Sequence, residues 1–79
     1  MKQRVVFFLY PGIVSLDVSG PLEVFATATE ILARNNKQEQ GYEPVFAACA
    51  AGPVRTSSGL VLTAESTLDR VVADILVVP

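Results

Sequence analysis

Apolar and polar residues fall into blocks along the chain, and each block predicts an element. Val5-Val6-Phe7-Phe8-Leu9-Tyr10 is unbroken hydrophobic sequence, rich in β-branched and aromatic residues, and it stops at Pro11-Gly12. A run this short, ended by proline and glycine, reads as a strand. Continuous rather than alternating hydrophobicity marks a strand covered on both faces, as in the middle of a parallel sheet. Further on, Leu22, Phe25, Ala28 and Leu32 recur at helical spacing, with Val24 and Ile31 widening the stripe. The predicted helix spans about 20–35. Gly20 serves as its N-cap, Pro21 as its first residue, and Glu23 lies in the first turn. Pro11 to Ser19 is then a loop that carries Asp17. Glu30 and Arg34 form an i,i+4 pair on the exposed side, and Asn35-Asn36 ends the helix.

After a polar connection from Lys37 to Gly41, Val45 to Ala50 is the body of a second strand, with Pro44 limiting ladder donation near its start. Val54-Arg55-Thr56 and Leu60 to Thr63 flank Ser57-Ser58-Gly59, which predicts a hairpin with glycine at positive φ. Ser66 to Val72 holds a short helical turn at most. Asp74 to Val78 is a third buried strand. Strand, helix, strand, excursion, strand is α/β organisation. The expected sheet is parallel, with strands near 4–10, 43–50 and 74–78.

Composition changes this picture in one respect. Hydrophobic residues make up 51% of the 79, and charged ones 18%. A chain this short buries only about 60% of its unfolded surface, so such an apolar sequence is expected to complete its core elsewhere. No apolar run reaches the ~20 residues of a membrane helix. The basic start followed by an apolar run lacks a clean cleavage site, so a strand is preferred to a signal peptide and a cytoplasmic location is expected. No internal repeat or linker divides the chain, and residues 1–79 are expected to be part of a single α/β domain.

The chemistry available is narrow. There is no histidine and one cysteine, Cys49. Histidine-dependent nucleophilic catalysis, a histidine metal site and an internal disulfide all lie outside these residues. Six basic and eight acidic residues give a net charge of −2, and no basic patch supports nucleic-acid contact. Neither glycine-rich phosphate motif occurs, and turn and cap duties account for Gly12 and Gly20. Arg55 to Gly59 reads more simply as a hairpin tip than as an anion site. Cys49, inside an apolar strand, reads as a buried and inert core thiol. Asp17 is the first acidic residue of the chain. It follows a strand and precedes a helix, where α/β sites form, and it could bond a nucleophile or act as a general base. Residue type alone favours a solvated loop aspartate or a helix-entry cap.

Three stretches carry a family resemblance. Phe7 to Gly12 followed by Leu16-Asp17-Val18-Ser19-Gly20-Pro21-Leu22-Glu23-Val24-Phe25 resembles the opening of the ThiJ/PfpI superfamily, the class I glutamine amidotransferase-like fold. Gly52 to Leu60 resembles the segment after that family's second strand. Asp74 to Pro79 resembles the strand that runs on into its glycine pair. The resemblance implies the N-terminal half of a flavodoxin-like, doubly wound parallel sheet sandwich, incomplete in this chain. Two branches share the opening. In AraC-family transcriptional regulators this domain senses ligand or dimerises, and a separate helix-turn-helix region binds DNA. In isonitrile hydratase-like enzymes a cysteine on a strand-to-helix elbow is the nucleophile, and an acidic residue matching Asp17 bonds to it. Gly52 to Leu60 leans toward the regulators.

That elbow, its cysteine and the glycine pair would all lie beyond Pro79, and Cys49 does not match the nucleophile. The expectation is therefore a non-catalytic sensing or dimerisation part. Its partner would be the rest of the domain or a second subunit, in a homodimer, with no cofactor, no metal, no membrane contact and no direct nucleic-acid contact from these residues. If the whole protein is an enzyme, Asp17 is the catalytic residue that this chain contributes. No ligand can be read from the sequence.

Overall fold

The computed structural model describes residues Met1–Pro79. In chain order the elements are β1 (Gln3–Phe8), α1 (Ser15–Arg34), β2 (Tyr42–Ala48), β3 (Gly52–Arg55), β4 (Val61–Ala64), β5 (Ser66–Thr67), a 3-10 turn (Leu68–Arg70) and β6 (Ile75–Val77). Four strands form one sheet in the order β5-β2-β1-β6, and every pairing in it is parallel. β3 and β4 form a separate antiparallel hairpin. The chain is thus mixed α/β with a parallel sheet, as the alternation of strand and helix patterns predicts. No helix is long and apolar enough to cross a membrane.

β1 is the centre of the sheet. Val5, Val6 and Phe7 are all fully buried, as a strand with a neighbour on each side requires. Its register sets Phe7 beside Phe46 on β2 and Val77 on β6. Side chains alternate between the two faces. Val5 and Phe7 share one core cluster with Leu9, Ile13, Val18, Ala48, Val54 and Ala64, against which Leu22 and Phe25 of the helix pack. Helix and hairpin therefore cover the same face. Phe7 anchors it, stacked on Phe46 at 5.5 Å and edge-on to Phe25 at 6.4 Å. The other face carries Val6, Phe8, Val45, Ala47 and Leu76. Val6 and Ala47 are fully buried there and Phe8 and Val45 partly, while Leu76, towards the β6 edge, is 54% exposed.

The helix begins earlier than its sequence pattern predicts. It starts at Ser15, with Val14 at the N-cap, and Pro21 lies inside it. Asp17 is consequently in the first helical turn rather than in a loop, and Gly20 and Pro21 are not the cap and first residue. The extra turn buries Val18 and adjoins buried Ile13, a gain of roughly 1.5–3 kcal/mol per large side chain. Proline inside a helix forfeits a hydrogen bond to the carbonyl four residues back, here that of Asp17. It also clashes with the Cβ of the preceding residue. Gly20 has no Cβ, so that second penalty vanishes. The stripe is narrower than predicted as well: Leu22, Phe25, Ala28 and Leu32 are partly buried, but Val24 is 68% and Ile31 50% exposed. These two flank the stripe on the far side of the helix. The Glu30–Arg34 ion pair forms, and Asn35 caps the C-terminus.

Two local devices fix the strands. Asp74 locks β6 to β1: its carboxylate Oδ2 accepts the Arg4 N–H at 2.7 Å, and its own N–H donates to the Arg4 carbonyl at 3.0 Å. Gly41, at φ 112°, turns the chain into β2 beneath Thr29, whose Oγ1 accepts the Tyr42 N–H at 3.0 Å and donates to the Phe25 carbonyl at 2.8 Å. Pro44 is tolerated because β2 has only β1 beside it there; β5 joins at Ala47 and Ala48 alone. The two-residue strand β5 stands where only a helical turn was expected.

Candidate functional site

The carboxyl ends of parallel strands are where α/β sheets bind ligands. At that end β1 passes through Tyr10, Pro11 and Gly12 into α1. The Tyr10 hydroxyl donates to the Pro79 carbonyl at 2.5 Å, so the exits of β1 and β6 are tied together. Asp17 stands just beyond, in the first turn of the helix and exposed to solvent. A carboxylate in that turn complements the positive end of the helix dipole. Neither of the chain's ion pairs, Arg4–Glu43 and Glu30–Arg34, involves it.

Cys49 is not the buried core thiol that its apolar surroundings predict. It lies one residue beyond β2 and is exposed. The strand stops at Ala48, and the apolar residues that follow are a surface turn rather than core. Cys49 shares a shallow hollow with Glu65, Ser66, Thr67, Asp69 and Arg70. Asp17 does not line that hollow, so the only thiol and the first carboxylate are not brought together.

Four of the amides that glycine-rich or hairpin segments might have offered to an anion are already used. Gly12 N–H donates to the Arg55 carbonyl, Thr56 N–H to Leu60, Ser57 N–H to Ile13 and Gly59 N–H to Thr56. Thr56 is buried, and its hydroxyl pairs with that of Ser58 at 3.2 Å. The hairpin tip, with Gly59 at φ 93°, is a closed turn docked on the β1–α1 connection.

That docking creates a concavity lined mostly by apolar residues. A cleft of about 220 Å³ lies between the N-terminal half of α1 and the hairpin. Val18 and Leu22 form its helix wall, Leu60 and Leu62 its hairpin wall, and Phe46 lines it from the sheet. Ser15, Ser19 and Thr63 supply hydroxyls. It contains no acidic or basic side chain. Sequence reasoning did not find this site, because its walls are some forty residues apart and each residue reads locally as core or turn. The available signal was Leu60 and Leu62 alternating out of a polar tip, since apolar residues on an excursion need something to pack against.

No protein-family model matches the chain, and no curated protein matches it either.

Proposed function

We propose that this chain is the ligand-sensing or dimerisation part of an AraC-family transcriptional regulator, built on the N-terminal half of a flavodoxin-like sheet and not itself catalytic. The observation that carries the reading is the cleft against the helix that bears Asp17: its lining is mostly apolar and holds no acidic, basic or thiol side chain, which suits binding rather than turnover. Supporting it, the stretch Asp17-Val18-Ser19-Gly20-Pro21-Leu22-Glu23-Val24-Phe25 lies on one helix at the carboxyl end of a parallel sheet, with an apolar cleft on the buried side of that helix.

The test is Asp17→Asn in the longer polypeptide that this reading implies. The change keeps the shape and removes the charge. Altered effector response or DNA binding, with no isonitrile hydration by the unmodified protein, supports the regulator. Turnover that is lost in the variant at an unchanged melting temperature supports the isonitrile hydratase-like alternative, in which Asp17 bonds to an elbow cysteine. If all three properties are untouched, Asp17 is a surface carboxylate that only favours the helix dipole.

A further inference from the structure

We propose that the cleft between α1 and the β3–β4 hairpin binds a small neutral ring compound carrying one hydroxyl or carbonyl group, of the phenol class. A dry apolar cavity of about 150 Å³ is enough for benzene. The cleft, at about 220 Å³, takes such a ring and one substituent, but falls short of the ~300–1,000 Å³ of sites for drug-sized ligands. Its walls are Val18, Leu22, Phe46, Leu60 and Leu62, so the body of the ligand must be apolar. Phe46 is held by its stack on Phe7, and a fixed ring favours an aromatic guest through offset or edge contacts.

Charge decides the rest. With no acidic or basic side chain in the lining, a carboxylate, phosphate or ammonium would find no side-chain counter-charge there. One polar group is nevertheless accommodated. The hydroxyl side chains that make hydrogen bonds within the chain are those of Tyr10, Thr29, Thr56, Ser58 and Ser66. Ser15, Ser19 and Thr63 of the cleft keep theirs for a guest. The inference goes beyond the regulator reading and stands without it, because direct binding to the cleft says nothing of DNA.

The experiment is titration of the 79-residue chain with phenol, and separately with benzoate, followed by amide chemical shifts and calorimetry. Two variants accompany it. Ser19→Phe fills the cleft from an exposed position, and Leu60→Glu places a charge at the cleft from a half-exposed one. The expected result is saturable phenol binding with shifts at Val18, Leu60 and Leu62. Benzoate should bind at least ~10-fold more weakly, because no side chain of the lining offsets the desolvation of its charge, and whichever variant keeps the native circular dichroism should lose phenol by a similar factor. No saturable binding, shifts confined to other surfaces, benzoate binding equal to phenol, or full affinity in a folded variant would each overturn the proposal. Phenol binding by an unmodified longer protein that shows neither DNA binding nor an effector response would overturn only the regulator reading.

Discussion

Replacing Gly41 by alanine tests the turn that sets the register of β2. A Cβ at that position would stand 2.9 Å from Thr29 Cγ2 and 3.2 Å from Thr29 Oγ1. Thr29 cannot swing aside freely, because its hydroxyl holds both the Tyr42 N–H and the Phe25 carbonyl. Backbone held at φ 112° costs a residue with a Cβ about 1–3 kcal/mol. Losing one of the Thr29 hydrogen bonds adds roughly 0.5–1.5 kcal/mol. The expected destabilisation is therefore about 2–4 kcal/mol, against a total of roughly 4–12 kcal/mol for a chain of this size. In a thermal melt followed by far-ultraviolet circular dichroism, at concentrations low enough for the midpoint to be concentration-independent, Tm should fall by ~10–25 °C. Thr29→Ser removes Cγ2 and keeps the hydroxyl. Alone it should cost about 0.8 kcal/mol, the value of one buried methyl. In the Gly41→Ala background it should cost less or become stabilising, with a coupling of at least ~0.5 kcal/mol. A Gly41→Ala protein within ~0.5 kcal/mol of the parent, or a cycle with no coupling, would refute this account of the turn.

Other outcomes follow from single features of the fold. Phe7→Ala removes the ring at the centre of three aromatic side chains and should cost about 3–5 kcal/mol, enough to abolish a cooperative melt. If the variant melts within a few degrees of the parent, Phe7 does not anchor the core. Cys49 should react fully with a thiol reagent such as dithionitrobenzoate in the absence of denaturant, and a requirement for urea would contradict its exposure. The face bearing Leu76 should drive self-association, visible as species larger than a monomer in sedimentation velocity. Leu76→Lys should restore the monomer, and a parent chain that is monodisperse at all concentrations would remove the need for a partner on that face.

The parts of this fold that could be read from the sequence are those whose cause is local or repeated. The apolar run from Val5 to Tyr10, rich in β-branched and aromatic residues and stopped by Pro11-Gly12, reads as a buried strand, and in β1 Val5, Val6 and Phe7 are fully enclosed. The parallel sense followed from the intervening helix. The start of α1 was misread because Pro21 is favourable as a first helical residue, while the reason for a longer helix, the burial of Val18, is a tertiary contact. β5 was invisible for a related reason: Ser66 and Thr67 become a strand only by lying beside Ala47 and Ala48. Cys49 was misplaced because an apolar neighbourhood in sequence does not say where a strand stops. Asp17 could be singled out as a residue, but the cleft beside α1 could not, since it exists only once the hairpin folds back over the helix.

The central position of β1 has a consequence for the order in which the molecule can assemble. β1 precedes both of its neighbours in the chain, β2, beginning at Tyr42, and β6, beginning at Ile75. The hydrogen bond between Asp74 and Arg4 spans seventy residues. Contacts so distant in the chain are slow to form, because loop closure must be met before they stabilise anything. Until β6 has been made, the most deeply buried strand of the fold therefore has one open side. α1 forms from its own local hydrogen bonds and packs early through Phe25 onto Phe7, which shields one face of β1 but not its edge. During that interval β1 is the segment most exposed to mispairing with other chains, and the arrival of Asp74 to Val77 closes it.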